Sequence, residues 1–179
     1  MFFALQALFF AIPIMVANMA PVLAKVVPFL NRPIDGGRLY KGQPILGSHK
    51  TWRGLIAACL GGMAAIYAQA AYVQAYPHSA LPLIDYRQPG IYLVGFLMGF
   101  GAIVGDAVKS FLKRRVGKPS GAAWPPFDQI DFVIGGLLFV WPLARIPLSA
   151  VFLLLILIPI GHLLTNRIAF ALGLKEVPY

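Results

Sequence analysis

Cysteine and acidic side chains are both scarce in this 179-residue chain, which contains one Cys and six Asp and Glu residues. The single cysteine, Cys59, excludes an internal disulfide framework and a metal site built on several Cys ligands. The three histidines, His49, His78 and His162, lack the mutual spacing of a metal site, so loop or core positions suffice for them. Metal binding by this chain would therefore depend on its few carboxylates.

Charged residues of either sign are also rare. They make up 12% of the chain, whereas 59% of its residues are hydrophobic and the mean hydropathy is +0.77. A chain this apolar has too little polar surface for a water-soluble domain, so we expect an integral membrane protein built as one helical bundle. The net charge of +9 then reflects Lys and Arg that flank membrane spans, and no nucleic-acid partner is expected.

Five transmembrane helices are predicted from the uncharged runs, because crossing about 30 Å of hydrocarbon takes roughly 20 helical residues. Only Arg145 interrupts the stretch 132–166, which as one helix would reach about 50 Å. Trp141, Pro142 and Pro147 favour a tight hairpin there. We therefore expect one all-α transmembrane domain over residues 1–179, with spans at about 1–24, 54–76, 90–112, 128–143 and 147–166.

The distribution of Lys and Arg between the loops predicts the orientation. The segment between the first two spans carries six of these residues, and the third span with its following connection carries five. The loop 77–89 has one charge of each sign, the last hairpin has Arg145 alone, and the tail has Arg167 and Lys175. The positive-inside rule then places the N-terminus outside and the C-terminus in the cytoplasm. Long cytoplasmic loops are expected between helices 1 and 2 and between helices 3 and 4.

Three aspartates are predicted to lie at membrane depth. A helix that starts near Gly90 has risen only about 24 Å when it reaches Asp106. Asp131, with Asp128 one turn earlier, comes ten residues before Trp141, the expected outer-interface residue. An ionised carboxylate in hydrocarbon costs at least a few kcal/mol, so these groups should face a wet cavity and be offset by cations or a metal ion. A purely structural Asp–Lys pairing is the alternative.

One face of the third predicted helix carries an acid, a hydroxyl and two amines at positions i, i+3, i+4 and i+7, namely Asp106, Lys109, Ser110 and Lys113. Asp128 and Asp131 share a face of the fourth helix. Carboxylates are hard oxygen ligands that suit Mg²⁺, and no His or Cys cluster is present for zinc or copper. We therefore predict Mg²⁺ at Asp106, Asp128 and Asp131. The surrounding cations favour a polyphosphate ligand, with contacts predicted at Lys50, Thr51, Arg53, Ser110, Lys113 and Arg114.

The order and spacing of these residues resemble a known signature. Gly105-Asp106-x-x-x-Ser110-x-x-Lys113-Arg114, followed by Asp128-Gln129-x-Asp131, is similar to the motif of the CDP-diacylglycerol synthase superfamily. Pro119 stands where that motif has an acid, and Ala123-Trp124-Pro125-Pro126-Phe127 replaces its Pro-Gly-His-Gly-Gly stretch, so the substrate pocket is expected to differ. Three further motifs, together with the five-span plan, make the chain resemble the CDP-archaeol synthase family. The three motifs are Ala17-Asn18-x-x-Pro21, Asp35-Gly36-Gly37-Arg38 and Leu46-Gly47-x-x-Lys50-Thr51-Trp52-Arg53-Gly54.

The resemblance implies a Mg²⁺-dependent enzyme that transfers the cytidylyl group of CTP to 2,3-di-O-geranylgeranylglycerol 1-phosphate, releasing pyrophosphate and forming CDP-archaeol. It further implies a multi-pass protein of the cell membrane whose active site faces the cytoplasm. Asp106, Asp128 and Asp131 would then hold the metal, and Lys113 would take part in catalysis. Phosphatidate is the alternative acceptor, because physical chemistry alone does not separate the two lipid phosphates.

Asn18, Asp35 and the functional class each have two possible interpretations. Asn18 lies one turn before Pro21 and would either satisfy the carbonyl that the proline leaves free or contact the lipid phosphate or the cytidine. Asp35 precedes two glycines and would either cap a turn or contact substrate. A small ion- or proton-coupled transporter is the alternative from another class, because intramembrane acids with Lys partners also mark such routes.

Overall fold

Five α-helices form the frame of the described part of the chain. The computed structural model describes residues 1–119 and 122–171, so Lys175, predicted to flank the last span, lies outside that range. The helices follow one another as an up-and-down bundle, and their bounds are α1 Phe2–Leu23, α2 Trp52–Ala75, α3 Ile91–Arg115, α4 Phe127–Val140 and α5 Leu148–Ala171.

Four of these helices are long and apolar enough to cross a membrane, and they are α1, α2, α3 and α5. This finding agrees with the expected multi-pass membrane protein. Helix α4 has only 14 residues, or about 21 Å, which is shorter than the hydrocarbon core. A fifth crossing and the orientation of the termini therefore stay predictions. The helix bounds lie within three residues of the predicted spans, except that α5 continues to Ala171, five residues past the predicted end. The spans themselves stay predictions.

The segment between α1 and α2 is more ordered than the predicted loop. A short 3₁₀ turn, Ala24–Val26, continues α1. Two short strands, β1 (Leu39–Tyr40) and β2 (Gln43–Pro44), then pair antiparallel in a small hairpin. The chain returns to the bundle at Thr51, whose side-chain oxygen caps α2 by accepting a hydrogen bond from the Gly54 N–H at 3.2 Å. The hairpin thus lies beside the end of the bundle where α2 and α4 begin and α1, α3 and α5 end.

Close glycine contacts hold α3 against α4. A Cβ added at Gly135 would lie 2.1 Å from the carbonyl oxygen of Gly101, and one added at Gly105 would lie 2.2 Å from the carbonyl oxygen of Asp131. In lipid, apolar side chains gain little by leaving the surrounding tails, so helices associate best where small residues let their backbones approach. The Gly105–Asp131 contact also brings Asp106, the next residue on α3, close to the acids of α4.

Helix α1 is tied to α2 by a buried amide. Pro13 has no N–H and therefore leaves the carbonyl of Phe9, four residues earlier, without its helical donor. The Gln69 side chain, 4% exposed on α2, donates a hydrogen bond to this carbonyl. The proline and the glutamine thus form one interhelical link inside the apolar core.

Replacing Gly135 by Ala should loosen the α3–α4 pair, because the new methyl group would lie 2.1 Å from a backbone oxygen that cannot rotate away. We expect the free energy of unfolding to fall by roughly 1–3 kcal/mol, the usual cost of overpacking. Gly161→Ala is the matched control, since a Cβ at Gly161 meets nothing within 4 Å. Melting temperatures in detergent should separate the two variants, and equal values would refute the assigned contact.

Candidate active site

The side-chain ammonium of Lys109 lies where three carboxylates meet. Its Nζ is 3.1 Å from Asp106 Oδ1, 2.9 Å from Asp128 Oδ1 and 2.6 Å from Asp131 Oδ2. Lys109 and Asp106 come from the same face of α3, whereas Asp128 and Asp131 come from the first turns of α4. The structure therefore brings together the three acids predicted to act jointly, around a lysine that the sequence placed only on the shared face of α3.

Two more lysines complete this ion cluster. Lys50, which directly precedes the α2 cap, forms an ion pair and hydrogen bond with Asp106. Lys113, one turn beyond Lys109, lies 3.0 Å from Asp128 Oδ1 and also donates to the backbone carbonyl of Ala122. Three carboxylates thus face three ammonium groups, and this balance is what allows the charges to remain partly buried in an apolar bundle.

A first polar cavity of about 330 Å³ opens beside the cluster. Its lining carries more positive than negative charge, because four cations face two acids there. Predicted residues in this lining are Lys50, Asp106, Ser110, Lys113, Arg114 and Asp128. Ser110, Lys113 and Arg114 are all less than 10% exposed, so their polar groups are presented by the protein interior. Such a cationic, partly desolvated cavity suits a polyphosphate.

A second polar cavity, of about 350 Å³, lies on the other side of the Lys50–Asp106 pair. It is lined by Asn18, Thr51 and Arg53, all predicted substrate contacts, together with Lys25. The two cavities share three residues, His49, Lys50 and Asp106. One ion pair therefore stands between two separate spaces, each of which could hold a phosphate group.

The carboxylate oxygens of the ion cluster can be compared with the ligands that a metal ion requires. Within residues 1–119 and 122–171, no three His, Cys, Asp or Glu side chains are arranged as a metal site by themselves. The oxygens of Asp106, Asp128 and Asp131 nevertheless converge on the Lys109 ammonium. Asp131 is 8% exposed, and its Oδ2 pairs with the Lys109 ammonium at 2.6 Å, so this buried carboxylate is held at the meeting point of the three acids. Mg²⁺ in proteins commonly takes one or two carboxylates and completes its shell with water and substrate phosphates, so these donors fit Mg²⁺ that binds together with a nucleotide.

Asp35 caps the loop before α2. Its Oδ1 accepts a hydrogen bond from the Gly37 N–H at 2.9 Å, and its Oδ2 accepts from the N–H groups of Leu46 at 2.8 Å and Gly47 at 3.3 Å. Partial burial raises the pKa of Asp35, but these three donors outweigh it and hold the pKa below the usual 3.8. The turn-capping interpretation agrees with this geometry. Asp35 lines neither polar cavity, and a direct substrate contact stays a prediction.

Arg115 fastens the hairpin to the end of α3. Its guanidinium donates to the carbonyls of Tyr40 at 2.6 Å and Pro44 at 2.7 Å. It also lies over the rings of Tyr40 and Phe111, at 5.1 and 4.8 Å from their centres, where the attraction between cation and ring adds to the hydrogen bonds. Arg115 and Asp35 together hold the loop from both sides, and the loop in turn places Lys50 against Asp106.

Asn18 and Arg53 face the second cavity in different ways. The Arg53 guanidinium donates to the Val27 carbonyl and, at 3.1 Å, to the Asn31 side chain, so part of its donor capacity is already used. Asn18 lines this cavity with its side chain half-buried on α1. Both interpretations of its amide, contact with substrate and satisfaction of the carbonyl that Pro21 leaves free, stay predictions.

Several lining residues were not predicted. Gln129, 4% exposed, belongs to the first cavity, and so do His162 and Asn166 from α5. His49 lines both cavities. A clue to Gln129 was its place between Asp128 and Asp131 in the motif. His162 and Asn166 are one turn apart near the end of the mostly apolar helix α5, and only the packing of α5 brings them to the cavity.

Comparison with known proteins assigns the family. The sequence model described as CarS-like, CDP-archaeol synthase, matches residues 1–179. The chain is 42% identical to the CDP-archaeol synthase of Halorubrum lacusprofundi, with 94% of this chain and 93% of the relative covered. It is 37% identical to that of Thermococcus onnurineus, with 98% and 96% covered. The chain belongs to the CDP-archaeol synthase family. As the resemblance implied, it is a CTP-dependent nucleotidyltransferase that serves archaeal lipid biosynthesis.

A solved structure supports the same fold. This neighbour is described as an intramembrane enzyme for archaeal membrane lipid biosynthesis. It superposes with a TM-score of 0.74 at 28% sequence identity, covering 89% of this chain and 92% of the neighbour. The fold of this chain is therefore shared by a protein that differs from it at most positions, as expected when small-residue contacts and apolar helix faces define the packing.

Asp35→Ala should loosen the loop that carries Lys50, because the N–H groups of Leu46 and Gly47 lose a charged acceptor worth about 1.5–3 kcal/mol. Hydrogen exchange at these two amides should quicken by about tenfold or more. In the original chain the protection requires ionised Asp35, whose pKa is lowered. It should therefore be complete at neutral pH and be lost only as the pH falls below about 3.8.

The control is Asp85→Ala, which removes a similar turn cap, an Arg87 N–H to Asp85 Oδ1 bond of 2.8 Å, from a loop at the opposite end of the bundle. Exchange at Leu46 and Gly47 should not respond to that change. An equal response to both substitutions, or none to Asp35→Ala, would contradict the role assigned to Asp35.

Proposed function

We propose that this chain is a Mg²⁺-dependent cytidylyltransferase that makes CDP-archaeol and pyrophosphate from CTP and 2,3-di-O-geranylgeranylglycerol 1-phosphate. The observation that carries the proposal is the pair of polar cavities separated by Lys50 and Asp106. A transfer between two phosphate compounds needs one space for each and a shared border, lined with charged groups, where the two phosphates can meet. Family membership supplies the reaction class, and the cavities supply places for both substrates.

The triphosphate of CTP is assigned to the first cavity. Lys113 and Arg114 are buried there and would meet the phosphate oxygens, with Ser110 as a hydroxyl donor on the same face of α3. Moving a triphosphate into a partly desolvated space is favourable only where positively charged groups are already in position. The lining of this cavity has that arrangement. Lys50 lies at the border and would contact phosphate from either side.

The lipid phosphate is assigned to the second cavity, where Asn18, Thr51 and Arg53 would orient it. A phosphate monoester has a second pKa near 6, so it is already largely dianionic at neutral pH and needs no strong general base. One of its oxygens attacks the α-phosphorus of CTP, the bond from that phosphorus to the bridging oxygen breaks, and pyrophosphate leaves with the electron pair. Positioning and charge relief are then the main catalytic effects.

Asp106, Asp128 and Asp131 would hold Mg²⁺. Asp106 lines both polar cavities and Asp128 lines the first, whereas Asp131 joins them through the shared ion pairs with Lys109. When bound, Mg²⁺ would supply positive charge that neutralises phosphate oxygens and makes the phosphorus more electrophilic. Lys109 orients the three carboxylates toward one another through its ion pairs. Lys113 would offset charge that develops on the leaving pyrophosphate.

The site is proposed to face the cytoplasm, where CTP is made. The Lys- and Arg-rich connections lie at the end of the bundle that carries the ion cluster, as the positive-inside rule requires for a cytoplasmic face. Phosphatidate is a less favoured acceptor, because the relatives are named CDP-archaeol synthases. A transporter is also less favoured, since its acids should line a path to both faces, whereas Asp106, Asp128 and Asp131 cluster near one end.

The decisive experiment incubates purified protein with labelled CTP, Mg²⁺ and either lipid phosphate, and measures labelled CDP-lipid. The original chain should form product with the archaeal lipid phosphate and less or none with phosphatidate. Asp131→Asn should reduce kcat by on the order of 10²–10³-fold, the usual effect of losing one group that stabilises transition-state charge.

Asp85→Asn, in an exposed loop at the other end of the bundle, is the control and should keep full activity. Labelled CTP that stays unconverted with both lipids would remove the enzymatic proposal. Product formation that is indifferent to a chelator, or to Asp131→Asn, would instead remove the metal site while leaving the reaction in place.

A further inference from the structure

A long apolar groove runs between α1 and α5, with Phe132 of α4 at its floor. Its volume is about 560 Å³, and it extends along α1 from Leu8 to Met19, roughly 16 Å at 1.5 Å per residue. Helix α5 packs against α1 less extensively than α3 packs against α4. The groove is therefore an elongated gap in the bundle wall that a hydrocarbon chain could fill.

The groove ends at the proposed catalytic junction. Asn18 lines both the groove and the second polar cavity, and His162 lines both the groove and the first. A molecule in this groove thus meets an amide and an imidazole at its polar end, and beyond them the cations Lys25, Lys50 and Arg53. The sequence of environments, from hydrocarbon through polar side chains to cations, matches a lipid that carries a phosphate head.

A second apolar groove, of about 470 Å³, lies between α3 and α4 but ends differently. The charged groups that line it are Lys109, whose ammonium is already engaged by three carboxylates, and the acid Asp131. The close contact of Gly105 with the Asp131 backbone seals its inner side. A phosphate head at that end would meet the negative charge of Asp131 and a single cation that is already paired with three carboxylates, so this groove is the poorer match.

From this comparison we infer that the α1–α5 groove binds a hydrocarbon chain of the lipid phosphate substrate and guides its phosphate past Asn18 into the second cavity. The inference rests on the proposed function. Gly161 is central to it, because a Cβ there would meet no atom within 4 Å. The absence of a side chain on α5 at this position keeps the groove open, and a large side chain could fill it without disturbing helix packing.

The test compares two acceptors, the lipid phosphate with its two full isoprenoid chains and the same glycerol phosphate with short alkyl ethers. In Gly161→Trp, the ratio of KM for the long acceptor to KM for the short one should rise by about tenfold or more, as expected when two or more methylenes lose their burial. Ile156→Trp, on a 58% exposed position of α5 outside the groove, is the matched control and should leave the ratio unchanged.

Leu138→Trp places the same side chain in the α3–α4 groove and should also leave the ratio unchanged. A rise in Leu138→Trp without one in Gly161→Trp would assign the chain to the other groove and overturn the inference. An unchanged ratio in every variant would mean that ordinary membrane lipid occupies both grooves, which overturns it as well.

A binding measurement covers the case in which Gly161→Trp fails to fold. A lipid phosphate with a photoreactive diazirine along one chain should label the original chain on α1 and on α5 near Gly161. Labelling confined to α3 and α4 would overturn the inference. If the original chain forms no CDP-lipid at all, the proposed function fails and the groove assignment fails with it, whereas normal turnover with unchanged selectivity removes the groove alone.

Discussion

Burial of three aspartates at one end of an apolar bundle is the constraint on which the other features of this structure depend. Each carboxylate would be costly in lipid without a nearby cation. The Lys109 ammonium contacts all three, and Lys50 and Lys113 contact one each. The glycine contact between α3 and α4 is what lets the acids of two helices share a single lysine, so helix packing and electrostatics are satisfied by the same arrangement.

The ordered loop before α2 follows from the same requirement. Lys50 can neutralise Asp106 only if the backbone around it is held in place, and the chain provides two fixed points, the Asp35 carboxylate and the Arg115 guanidinium. Neither of these groups lines a polar cavity. They act on the site by fixing the loop that carries Lys50, and not by contact with either cavity.

The division of polar space suits an enzyme that joins a water-soluble nucleotide to a membrane lipid. A nucleotide can reach a cationic cavity from water, whereas the proposed lipid phosphate would keep its chains in hydrocarbon while its head reaches the same lysines. The two cavities meet at Lys50 and Asp106, and the apolar groove touches both through Asn18 and His162. In this bundle, the nucleotide could therefore approach from water and the lipid from hydrocarbon until they meet at the ion cluster.

The sequence by itself determined the membrane environment, four long helices and the residues of the ion cluster. Hydrophobic length and charge spacing are local properties, and helical periodicity alone places Asp106, Lys109 and Lys113 on one face. Only the tertiary structure decided that Lys109 is the centre of the cluster, that the loop forms a hairpin docked by Arg115, and that His162 and Asn166 reach the first cavity. These features join residues up to about a hundred positions apart, and such contacts depend on how helices pack, which no local pattern records.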